Sequence, residues 1–192
     1  MSARARFSTD EVAALADTFR EPLTAPEWAR VEDEVGPVAE LASELYGRGL
    51  LVGPVLARAV PAAWSLSASP LRMLGHQRWR ELFAAAGFTI DGVSAPLPPR
   101  PVVLYRGASH LRRRGWSWTP DLSIAARFAL RHGFDGGAAR IYSAQVPPVA
   151  MLAAMSPDLG MWPGESEVVV DTAGLTIRLE ERNAFRPQAG IQ

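Results

Sequence analysis

The sequence predicts an α+β fold, with helices gathered in the first half and strands in the second. In residues 1–94 apolar side chains recur at helical spacing behind N-cap signals. Residues 95–101 form a Pro-rich connector, and residues 102–183 switch to short β-branched and aromatic runs separated by turns. Runs of one element type followed by runs of the other point to α+β rather than to alternating βαβ units. With 192 residues and 48% hydrophobic content the chain can bury a real core. The two halves are expected to pack as one compact unit.

The first helix is specified by Phe7-Ser8-Thr9-Asp10-Glu11-Val12. Ser8 caps, Glu11 completes the capping box, and Phe7 staples against Val12, while Leu15 and Phe19 continue the apolar stripe. Thr24 and Glu27 repeat the pattern ahead of Trp28, Val31 and Val35. Gly36-Pro37 interrupts, and Val38–Tyr46 resumes and stops at Gly47. Ser69-Pro70 opens a further helix through Leu74, Trp79, Leu82 and Phe83, with Gly75 as a weak interior point and Gly87 as its cap. These stripes read as core.

After the connector, Val102–Arg106, Arg140–Val146, Ser166–Asp171 and Leu175–Glu180 read as strands. One strong helix is expected from Pro120 to about His132, with Thr119 as its N-cap.

Composition excludes several chemistries. Twenty basic residues balance twenty acidic ones, so no global field draws the chain to a polyanion. Without cysteine there are no disulfides, thiolate zinc sites or cysteine nucleophiles, and His76, His110 and His132 show no metal-ligand spacing. "MSARARFSTD" lacks an apolar leader, and "LLVGPVLARAVPAAW" is broken by Arg58 and two prolines before it could span a bilayer. The expectation is a protein of the cytoplasm, or one delivered into a host cytoplasm, with no metal and no membrane partner.

Three spots carry chemistry beyond packing. Arg106-Gly107 ends an apolar strand with the side chain best suited to grip phosphate and a residue that permits close backbone approach. Ser117 and Thr119 alternate onto one face of a short strand. In "WPGESEVVVDT" Glu165 and Glu167 alternate onto one face at the start of another.

In this order the motifs resemble the mono-ADP-ribosyltransferases of the arginine-serine-glutamate class, which includes cholera-type toxins, binary actin-modifying toxins and vertebrate ectoenzymes. Arg106, Ser117-Trp118-Thr119 and Glu165-Ser166-Glu167 match the family's arginine, Ser-x-Ser/Thr and Glu-x-Glu positions, with Trp118 standing where threonine is usual. Phe128-Ala129-Leu130-Arg131 matches the Phe-Ala-x-Arg of binary toxins, and Trp162 the aromatic residue three positions ahead of the glutamate pair. The likeness covers roughly residues 102–179, and the preceding helices align to no toxin.

The resemblance implies a split antiparallel β-sandwich that takes NAD+ as substrate. It implies that Arg106 and Arg131 hold the diphosphate, that Gly107 offers backbone groups to the nicotinamide amide, and that Phe128 stacks on nicotinamide. Ser117 and Thr119 belong to the same cradle, Ser117 fixing the rotamer of the catalytic Glu167. It further implies that Glu165 activates an acceptor, arginine on a protein first, and that Trp162 meets that protein. An NAD+ glycohydrolase, a catalytically idle interaction protein and a nucleic-acid acceptor, the last not favoured, stay open, as does a role as toxin, phage effector or regulator.

Overall fold

The computed structural model describes residues 8–36, 38–67, 69–132, 140–157, 164 and 166–180. It is mixed α+β, and the chain divides into two compact units between Pro96 and Leu97, within the Pro-rich stretch.

Five helices make up most of the first unit: α1 (Thr9–Ala16), α2 (Ala25–Val35), α3 (Ala39–Gly47), α4 (Gly53–Ser65) and α5 (Pro70–Ala86). The Ser8–Glu11 capping box forms: Glu11 N–H donates to Ser8 Oγ at 3.2 Å, and Ser8 N–H to the Glu11 carboxylate at 2.7 Å. Phe7, its proposed staple, lies outside the described residues. At α2 the Glu27 carboxylate receives both the Thr24 N–H, at 2.8 Å, and the Thr24 hydroxyl, at 2.6 Å. Gly36 closes α2 and Gly87 closes α5, both with positive φ.

Helix α4 is not foreseen in the sequence because Pro61 sits inside it. An interior proline costs roughly 3 kcal/mol. Pro61 itself is buried, however, together with Leu56, Val60 and Trp64, and that packing sustains the helix. Trp64 meets Trp79 and Phe83 of α5 edge-on, with ring centroids 5.1 and 5.8 Å away. Helix α5 kinks at Gly75, whose φ of 75° no other residue type adopts easily. The unit ends in a two-residue hairpin, β1 (Thr89–Ile90) with β2 (Val93–Ser94), turning through Asp91-Gly92.

The second unit holds two antiparallel sheets. In one, β3 (Val102–Ala108) pairs along its length with β5 (Arg140–Val146), and β8 (Arg178–Leu179) pairs with the other edge of β5. In the other, β7 (Glu167–Val170) lies between β4 (Ser117–Trp118) and β6 (Met151–Met155). Strand β6, Met-Leu-Ala-Ala-Met, is unforeseen because alanine and methionine favour helix. A corner joins the sheets: directly after β4, Thr119 leaves β7 and exchanges backbone hydrogen bonds with Tyr105 of β3, at 2.7 and 2.9 Å.

Helix α6 (Leu122–His132) starts two residues later than the sequence suggests, and Thr119 is not its cap. The bridge to Tyr105 keeps Thr119 extended. Asp121 caps instead, its carboxylate accepting the N–H of Ser123 at 2.7 Å and of Ile124 at 3.4 Å, while Thr119 Oγ1 accepts the Asp121 N–H at 3.2 Å. Among the described residues no helix is long and apolar enough to cross a membrane.

Candidate active site

Side chains alternate along β3, so Tyr105 and Gly107 face one way and Arg106 the other. The first face receives α6: Tyr105 packs on Ala125, Ala129 and Ile141. A Cβ at Gly107 would lie 3.0 Å from the Ala125 carbonyl carbon and closer still to the Ala125 oxygen and the Ala129 nitrogen. The glycine therefore serves a close approach, by the backbone of a helix.

On the other face the half-buried Arg106 side chain is clasped by the loop between β3 and β4. Its Nε donates to the Arg112 carbonyl at 3.1 Å and its Nη1 to the Ser117 carbonyl at 2.5 Å. Burial lowers its pKa to about 10; the Glu167 carboxylate acts in the opposite sense, and the Arg112 charge adds to the lowering. The guanidinium is therefore charged at neutral pH, within electrostatic reach of Glu167.

Glu167 begins β7, and the register fixes its companions. Ser117 stands opposite Val169 and Trp118 opposite Val168, so Ser117 and Glu167 share a face and Trp118 points away. The face that Trp118 occupies is closed. Its side chain is 2% exposed and its indole N–H donates to the Gly115 carbonyl at 2.8 Å. Thr119, buried, continues the Ser117 side of the strand at the corner.

Backbone groups alternate as well. Tyr105 spends its outward N–H and C=O on Thr119, and by the same parity Gly107 aims its pair to that outer side of β3, away from β5. Helix α6 flanks this edge. Phe128, half-buried, precedes the Ala129 that touches Gly107, and the Arg131 guanidinium stacks on the Phe128 ring 5.6 Å from its centroid. One turn back, Arg127 Nη2 donates to the Gly164 carbonyl at 3.4 Å, bringing the helix to the turn that precedes Glu167.

The structure thus gathers Arg106, Gly107, Ser117, Thr119 and Glu167 around the corner between the sheets, with Phe128 and Arg131 on the adjoining helix. Glu165 and Trp162 lie outside the described residues. Sequence reasoning missed Gly115 and Arg127, and it read Arg112-Arg113-Arg114 as a solvated face, with contact to the adenosine end of NAD+ or to an acidic target as the second choice, whereas the Arg112 carbonyl accepts from Arg106. "RRRGWSW" does contain a glycine one step before a tryptophan, but nothing local says that it faces an arginine. Of the three arginines in that run, Arg113 donates to the His110 carbonyl at 2.7 Å and Arg114 to the Thr172 carbonyl at 3.1 Å, so two of them bind their own backbone. A shallow depression of about 320 Å³ lies at the opposite end of β7, between Pro147, Val149, Asp171 and Leu175, and contains none of the site residues.

The arrangement offers a fixed cation, a carboxylate, a hydroxyl on the carboxylate's face and the outward-aimed backbone groups of Gly107, a set able to hold an anionic ligand and to stabilise positive charge beside it. In comparisons with known proteins, the chain matches no family model, no curated protein and no solved structure.

Proposed function

We propose that the chain is a mono-ADP-ribosyltransferase that cleaves the nicotinamide–ribose bond of NAD+ and passes ADP-ribose to an arginine side chain of a protein, with a core folded as a split antiparallel β-sandwich. The observation that supports this reading is that Arg106, clasped by the Arg112 and Ser117 carbonyls, lies within electrostatic reach of Glu167. Arg106 and Glu167 come from strands of different sheets, and Ser117 lies on the glutamate's face. A solvated strand end has no need of a half-buried arginine clasped opposite it.

In this reading Arg106 binds the diphosphate, its planar fork matching phosphate oxygens, while Arg131 assists from α6. Gly107 offers its outward N–H and C=O to the carboxamide, and Phe128 covers the nicotinamide ring. As the bond from C1′ to nicotinamide breaks, its electron pair leaves with neutral nicotinamide and positive charge spreads over the ribose, as in glycoside hydrolysis. Glu167, accepting from the ribose 2′-hydroxyl, stabilises that charge. An acceptor guanidine nitrogen then attacks C1′ and loses its proton to Glu165.

Labelled NAD+ incubated with the protein and a cell lysate tests cleavage and transfer together. Nicotinamide release with a labelled protein supports the proposal, and release without label favours the glycohydrolase. Neither, from folded protein, leaves the interaction protein. Glu165→Gln is expected to keep nicotinamide release while labelling of agmatine falls; equal loss of both would refute the division of roles between the two glutamates.

A further inference from the structure

Gly115 stands where a side chain would collide with Arg106. A Cβ built there would lie 2.6 Å from the Arg106 guanidinium carbon, nearer still to Nη2, and 3.1 Å from Nε. The backbone at Gly115 does not demand glycine, since its φ is outside the positive region. Space is therefore what the glycine supplies. The contrast with Gly107 is informative: there a Cβ meets helix backbone, which cannot yield, whereas at Gly115 it meets the end of a flexible side chain, which can. An added methyl at 115 would move the arginine and leave the fold.

Gly115 is itself pinned on two sides. Its N–H donates to the Arg112 carbonyl at 3.1 Å, the same oxygen that accepts Arg106 Nε, and its carbonyl accepts the buried indole N–H of Trp118 at 2.8 Å. The chain of contacts therefore runs from the Trp118 ring, locked in the core, through Gly115 to the guanidinium. An arginine side chain is rich in rotamers, so a cation held in advance binds an anion without that ordering cost.

We infer that Gly115, braced by Trp118, is a positioning residue that sets the Arg106 guanidinium for a diphosphate ligand. This rests on the NAD+ reading of the site. Of the five donors of the guanidinium, two are clasped by the Arg112 and Ser117 carbonyls, and that pair fixes its plane.

The test is a double-mutant cycle on the full chain, reading the dissociation constant of NAD+ for wild type, Gly115→Ala, Arg106→Ala and the double variant. Gly115→Ala is expected to weaken NAD+ roughly ten- to hundredfold, the loss expected of a misplaced charged hydrogen bond. It is expected to raise KM for nicotinamide release with kcat kept, and to cost nothing further once Arg106 is alanine. Trp118→Phe, which keeps an aromatic ring and removes the N–H, follows the same pattern more weakly, and serves in the cycle should Gly115→Ala not fold. The same loss in both Arg106 backgrounds, or no loss in either, overturns the inference. A second measurement needs no NAD+: hydrogen exchange at Arg106 Nε–H, followed by NMR, is expected to be slow in wild type and fast in Gly115→Ala and Trp118→Phe. Unchanged exchange overturns the positioning role. If wild type binds no NAD+, the proposed function falls and the exchange measurement alone decides whether Gly115 holds Arg106.

Discussion

Arg106 shows how one side chain is shaped by burial and by its neighbours together. Burial disfavours its charge and brings the pKa to about 10, while Glu167 restores part of the loss. The folded value lies below the ordinary guanidinium range, so this charge opposes folding, and that cost is relieved as pH rises through about 10. Anion binding runs the other way and is lost as the guanidinium discharges. NAD+ affinity is therefore expected to fall above about pH 10, and Glu167→Gln should move that fall to lower pH because the carboxylate that raises the pKa is gone. Titrations across pH, with circular dichroism confirming the fold at each point, check this. If Glu167 stabilises the oxocarbenium ion, Glu167→Gln lowers nicotinamide release by roughly 10²- to 10³-fold, a rate measured directly. A loss of less than about threefold would mean that the carboxylate is only a solvated strand end.

Helix α6 depends on two neighbours in sequence and one in space. Asp121 is held below its usual carboxyl range by hydrogen bonds from Ser123, with a smaller share from Ile124. A depressed carboxylate contributes stability that is present above the unfolded value of 3.8 and lost as pH falls through the folded one. Asp121→Ala is thus expected to cost about 1 kcal/mol at neutral pH, with the difference from wild type vanishing in acid, as denaturant melts at several pH values would show. Gly107→Ala is a harsher change. The new methyl meets the Ala125 carbonyl and the Ala129 amide, and α6 has to lift from β3. A loss of about 2 kcal/mol or more is expected, with Phe128 and Arg131 displaced along with the helix. An unchanged melting midpoint would contradict the contact. Phe128→Ala, at a half-buried position, should leave that midpoint nearly unmoved and still weaken NAD+.

At the level of the whole molecule, balanced charge and two compact units set the expectations. Neutral net charge means that any salt dependence of NAD+ binding comes from Arg106 and its neighbours rather than from a long-range field. The helical unit is centred on Trp64, Trp79 and Phe83, whose rings pack within 5.1 to 5.8 Å of one another. Phe83→Ala opens a cavity among large aromatic rings and is expected to cost about 3–5 kcal/mol. Calorimetry of wild type and variant measures it, and a loss under about 1 kcal/mol would show that the ring cluster does not hold the unit together.

Local signals in the chain sufficed for much of this protein. The capping pairs Ser8–Glu11 and Thr24–Glu27, the glycine stops at Gly36 and Gly87, and the β-branched runs of β3, β5 and β7 all act through neighbours a few residues away, which is why they could be read in order. The same-face relation of Ser117 and Glu167 needed more, because only the pairing of β4 with β7 sets their register. Tertiary contact alone decided the rest. Burial carried α4 through Pro61 and turned Met-Leu-Ala-Ala-Met into a strand, each against local preference. The bridge to Tyr105 held Thr119 extended and passed the cap of α6 to Asp121. Gly107 and Gly115 look alike in sequence, yet one makes room for a helix backbone and the other for a guanidinium. What a missing side chain leaves space for depends on residues far along the chain, and only folding brings those residues to it.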